Sequence, residues 1–159
     1  MKKNLIGYLG VVLLAMLITS NFATAQTRPD GGGRLAGTWD AQVSITNCQT
    51  GDVIATFPSI ASFMTGGTSI GSTAGIPQSA RTPEHGVWRH DGGNIYSFRF
   101  KTFSFNQNVL SGWSIVEHQI ILNSTADAYT SSGTAKHYSP TGVQVGGGCS
   151  SAVGTRFGF

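Results

Sequence analysis

From residue 35 onward the chain nowhere repeats its apolar residues at helical spacing. Val, Ile, Thr, Phe, Tyr and Trp recur instead in short alternating runs broken by glycine or polar turns. That period of two belongs to strands. Eight runs stand out, at about 36–48, 53–65, 67–73, 85–91, 94–105, 112–123, 126–138 and 142–157. Turn signals such as Thr50-Gly51-Asp52, Asp91-Gly92-Gly93 and Asn123-Ser124-Thr125 separate most of them by few residues. Consecutive strands are therefore expected to pair antiparallel as hairpins. The exception is Ser72 to Glu84, a long connection with two prolines and little apolar content. Long loops in compact domains often serve as lids or binding loops.

Eight successive antiparallel strands, with no long crossover, predict an all-β fold: an eight-stranded up-and-down barrel. Closure removes the exposed edges that invite aggregation. The competing two-sheet sandwich needs crossovers for which only the loop before His85 offers length.

The N-terminal segment reads differently. Lys2 and Lys3 precede an apolar run from Leu5 to Leu17, and Ala23-Thr24-Ala25 carries small residues at the positions a signal peptidase reads. Residues 1–25 are thus expected to be a signal peptide, residues 26–34 a flexible lead-in, and residues 35–159 the barrel domain. The apolar run is shorter than the ~20 residues a spanning helix needs, so no membrane association is expected after cleavage. Residence would be periplasmic or extracellular. Without Lys2 and Lys3 the ten Lys/Arg fall to eight against seven Asp/Glu. A near-neutral chain of this kind does not suit a nucleic-acid binder.

Cys48 and Cys149 are the only cysteines. An even count in an exported chain favours a disulfide. Closing a loop of about 100 residues contributes ~4.7 kcal/mol in the chain-entropy description. Zinc binding is disfavoured by the absence of a CxxC spacing, and a catalytic thiolate needs a neighbouring base. In a closed barrel the first and last strands are neighbours. If the two cysteines are directly opposed there, Arg156 faces Ala41, and Trp39 lies two residues along on the same face. A diagonal contact over that span is within reach of long side chains. The cysteines then point to the opposite face.

Leu35-Ala36-Gly37-Thr38-Trp39 resembles the glycine-x-tryptophan motif of lipocalins and the wider calycin superfamily. Gly154-Thr155-Arg156 resembles their C-terminal basic residue, which packs across that tryptophan and closes the barrel base. Gly86-Val87-Trp88 and Gly154-Thr155-Arg156-Phe157 are also similar to stretches of small exported bacterial proteins of unassigned function. The resemblance implies a calycin-like barrel that holds a small apolar or amphipathic molecule, with no cofactor.

Small eight-stranded barrels either fill their interior or hold one small ligand. In the sixth strand Ser114, Val116, His118, Ile120 and Leu122 form the more apolar face, which directs His118 inward. There it either hydrogen-bonds a ligand, acts as general acid or base, or is a core histidine satisfied by a carbonyl or a tyrosine. In the fifth strand Tyr96, Phe98 and Phe100 share one parity, Phe103 and Phe105 the other, which predicts a bulge near Lys101-Thr102. Arg99 and Lys101 either anchor a ligand in the lumen or face solvent. The candidate ligand-binding residues are Trp88, Phe98, Phe100, Val116, His118 and Arg99. An isomerase or cyclase of the allene oxide cyclase type would draw its acid or base from His118, Glu117 or Glu84. A third possibility is a filled barrel that interacts through the Ser72–Glu84 loop. The four histidines lack paired spacing, so no metal is expected.

Overall fold

The computed structural model of the protein describes residues 33–159. The signal-peptide assignment and all but the last two residues of the lead-in lie outside the described residues. Eight strands are present: β1 Gly37–Thr46, β2 Val53–Met64, β3 Thr68–Thr73, β4 Glu84–Gly92, β5 Ile95–Asn106, β6 Val109–Leu122, β7 Ala128–Tyr138 and β8 Gln144–Arg156. Each pairs antiparallel with the next, and β8 returns to β1 to close the barrel. Helical structure among the described residues is limited to a 3-10 turn, Gln78–Ala80.

The two halves of the barrel are built differently. At one end, Trp39 of β1, Phe63 of β2, Trp88 of β4, Tyr96 of β5, Ile120 and Leu122 of β6, and Tyr129 of β7 point inward and form a continuous core. Leu35, just before β1, plugs that end and is fully buried. Trp39 donates its indole Nε1–H to the Leu35 carbonyl at 2.8 Å and meets Tyr129 edge-on at 5.1 Å. Arg156 lies over the Trp39 ring with its guanidinium carbon 4.3 Å from the centroid, and donates to the carbonyls of Ala126, Ala36 and Arg34. A guanidinium so placed satisfies backbone groups that the end of a barrel would otherwise leave unpaired, while stacking on an aromatic face. Arg34, the last lead-in residue, also donates to the Ser124 carbonyl at 2.7 Å.

The β1–β8 register differs from the expected one by two residues. Trp39 is directly opposite Arg156, and Cys149 is opposite Thr46. The reason is that β1 ends at Thr46, so Cys48 sits in the turn beyond it, not on the strand. The turn still brings the cysteines together, with the disulfide formed across 5.3 Å between Cα atoms. A shift of two preserves parity, so Trp39 and Arg156 keep a common inward face and Cys149 faces outward.

The bulge expected at Lys101-Thr102 is absent, and the irregularity falls at Ser104/Phe105 instead. Thr102 takes the inward position and is 1% exposed. Phe103 stays outside, where Lys101 Nζ lies 4.8 Å from its ring centroid and 4.4 Å from that of Trp113. A lysine bridging two rings gives the exposed aromatics a partner without the core.

Candidate functional site

Toward the other end the core thins into a cavity of about 370 Å³, lined by residues of matching inward parity from all eight strands and by the loop. Val43 and Ile45 of β1, Ala55 and Phe57 of β2, Phe100 of β5 and Val116 of β6 supply apolar wall. Pockets that hold small molecules begin near ~300 Å³ and are mostly apolar with a few placed polar groups.

The wall of this half has a notch. β3 ends at Thr73 and β4 begins at Glu84, whereas β2 and β5 run further toward the rim. Residues 74–83 fill the gap. On one side Ala74 N–H donates to the Pro58 carbonyl at 3.0 Å. On the other, Arg81 bridges to Ser104, and Thr82 N–H donates to the Phe103 carbonyl at 3.0 Å. Gly75 makes the close approach possible: a Cβ there would stand 2.5 Å from the Phe57 ring. The loop thereby contributes Gly75, Ile76 and Arg81 to the cavity lining.

Two polar clusters enter this apolar space. The first is an ion pair: Arg81 Nη2 donates to Glu84 Oε1 at 2.8 Å, with each side chain only 13% exposed. Arg81 Nε–H donates to Thr102 Oγ1 at 3.1 Å, and Thr102 donates onward to the Thr82 carbonyl at 2.8 Å. Gly71 lies opposite Glu84, and a Cβ there would come within 3.0 Å of the carboxylate. Burial raises the Glu84 pKa, against the opposing attraction of Arg81.

The second cluster centres on His118, 7% exposed. Its Nδ1 bonds Ser131 Oγ at 3.1 Å and its Nε2 bonds Ser150 Oγ at 2.8 Å. The ring lies over Gly133, where a Cβ would meet His118 Cδ2 at 2.5 Å. Burial lowers its pKa to about 4, so the imidazole is neutral near pH 7. Phe98 packs against it at 5.4 Å between centroids, which sets His118 on the floor between filled core and open cavity. Near the rim Ser114 Oγ and His137 Nδ1 form a further pair at 2.8 Å.

Of the residues singled out from the sequence, Phe100, Val116, His118 and Glu84 line this one cavity. Trp88 and Phe98 lie below it: Trp88 is 3% exposed and donates to the Met64 carbonyl, and Phe98 packs edge-on against Phe63 at 5.5 Å. Arg99 and Glu117 are outside the barrel, paired with each other at 3.1 Å and more than half exposed. The cation that lines the cavity is Arg81 of the loop. His118 is satisfied as a core histidine should be, but by two serines, not by a carbonyl or a tyrosine. Among the described residues no cluster of three His, Cys, Asp or Glu is placed to hold a metal ion.

Ser131, Ser150 and the Ser114–His137 pair were not singled out, although hairpin parity contains them. With His118 inward, the short β6–β7 turn sets it opposite Gly133, and every second residue of β7 follows. A glycine within a strand flags a close approach. Arg81 carries no such signal, because a loop has no period.

No protein-family model matches the chain, and no curated protein matches it. Among solved structures, the crystal structure of Rv2717c from M. tuberculosis matches with a TM-score of 0.40 at 9% identity, covering 83% of this chain and 98% of that one.

Proposed function

We propose that this protein is an exported, calycin-like barrel that holds one small apolar or amphipathic molecule in the open half of its lumen. The carrying observation is the half-filled barrel: a sealed aromatic base beneath a cavity of about 370 Å³ with apolar walls and few polar groups. A packing-only role would leave the rim end filled as the base is. The Cys48–Cys149 disulfide suits an oxidising compartment. The outer wall also favours an aqueous setting. Exposed apolar residues such as Ile60, Val87 and Val153 share that wall with Asp40 and Gln42 of β1 and with the Arg99–Glu117 pair of β5 and β6, and the apolar band of a membrane barrel disfavours those charges.

Titration with the neutral dye N-phenyl-1-naphthylamine tests this reading. The dye is expected to brighten and shift to the blue with the oxidised protein, and Ala135→Trp, which fills the lumen, is expected to abolish the signal while leaving the protein folded. Equal binding by the filled variant, or no binding by wild type, overturns it.

A lumenal isomerase or cyclase is the second reading, favoured by Glu84 and His118 lining the same cavity. Glu117 has no part in it, since it lies outside. Turnover lost in His118→Ala with dye binding kept would select this reading over simple binding.

A further inference from the structure

We propose that the lumen selects an uncharged amphiphile, an apolar chain with a hydroxyl head, and that Glu84 is the residue that excludes carboxylates. This rests on the lumenal-binding reading above.

Among the described residues, Arg81 and Glu84 are the only Arg, Lys, Asp or Glu that line the cavity. A fatty acid entering such a space would need Arg81 as its counter-ion. That cation is already occupied by Glu84 at 2.8 Å, and the pair is held on both sides. Thr102, itself anchored to the Thr82 carbonyl, fixes the Arg81 Nε–H, and the Glu84 carboxylate lies close over Gly71. Glu84 and Thr102 engage two of the five guanidinium N–H donors, but Glu84 already balances the single charge of Arg81, so a carboxylate bound there brings a second negative charge beside Glu84 with no counter-ion of its own. An uncompensated charge in a buried site is strongly unfavourable. Glu84 thus already fills the position a ligand carboxylate would take.

A hydroxyl needs no counter-ion. It both donates and accepts, and Ser114, Ser150, His118 and His137 line the cavity from β6, β7 and β8. Each serine is bonded to a histidine, which uses only part of a hydroxyl's capacity for one donated and two accepted bonds. Whichever ring tautomer is present, a ligand hydroxyl finds a complementary partner. The apolar wall of Val43, Phe57, Phe100 and Val116 takes the chain.

The test compares decan-1-ol with decanoate as competitors of N-phenyl-1-naphthylamine at about pH 8, where the free acid is ionised. Wild type is expected to prefer the alcohol by tenfold or more. Glu84→Gln frees Arg81 and is expected to invert that ratio, whereas Arg81→Gln combined with Glu84→Gln restores the preference for the alcohol. Decanoate binding wild type as tightly as decanol overturns the proposal whether or not the variants fold. So does an unchanged ratio in folded Glu84→Gln, or dye binding that neither competitor displaces. Failure of the dye itself to bind wild type is a different result, since it removes the lumenal reading and this proposal with it.

Discussion

His118 shows how one residue couples burial to stability. Its folded pKa, about 4, lies below the ordinary 6.5. Between those values the unfolded chain binds a proton that the folded chain refuses, so stability is lost as the pH falls through that window. The loss is on the order of 3 kcal/mol by pH 4. Glu84 acts in the opposite sense, because its raised pKa makes the folded state the better proton acceptor. The difference between wild type and His118→Gln in chemical denaturation isolates the histidine: wild type should lose ground to the variant between pH 6.5 and 4. The space for the ring comes from Gly133, where an added Cβ would also stand 1.9 Å from the Glu117 carbonyl. Backbone cannot yield as a side-chain tip can, so Gly133→Ala is expected to lower stability by about 2–4 kcal/mol in a urea melt. The inward direction of His118 was legible from alternation along β6. Its serine partners required the hairpin register, which a single strand does not carry.

At the scale of elements, the strands were legible because each has one apolar face and a turn signal at its end. The turn signals place the strand ends within a few residues, and the displacement of the bulge from Lys101-Thr102 to Ser104/Phe105 has a definite cause. A parity switch among aromatics predicts a kink, whereas Phe103 remains outside, where Lys101 covers it, and Thr102 takes the inward site. Apolar residues outside a barrel defeat the rule that alternation points inward. The loop of residues 74–83 was legible only as a long connection; its role as the wall between β2 and β5 follows from β3 and β4 stopping short. Gly75→Val would press on the Phe57 ring and lift this wall piece. The expected outcome is a severalfold faster release of N-phenyl-1-naphthylamine in stopped-flow measurements, with the near-ultraviolet circular dichroism of the Trp39–Tyr129 base unchanged.

For the whole molecule, the barrel is closed by one pairing, β1 with β8, secured at two places. Arg156 holds it at the base and the Cys48–Cys149 bond holds it toward the rim. Arg156→Ala removes three hydrogen bonds to carbonyls and the ring contact, and is expected to cost about 2–4 kcal/mol in a denaturant melt. Cys48→Ser paired with Cys149→Ser should cost about 2–5 kcal/mol. The two losses should be nearly additive, because the sites sit at different heights and share no partner. The same pairing joins the most distant parts of the sequence, whereas each of the other seven joins neighbours. Loop-closure entropy makes it the slowest contact to form. On this ordering the chain is expected to assemble as a curved ribbon that rolls shut last. While it is open, β1 and β8 are bare edges, each able to recruit another molecule's strand. Oxidation is expected to shorten that interval, so that the cysteines protect the molecule during its making as well as after it.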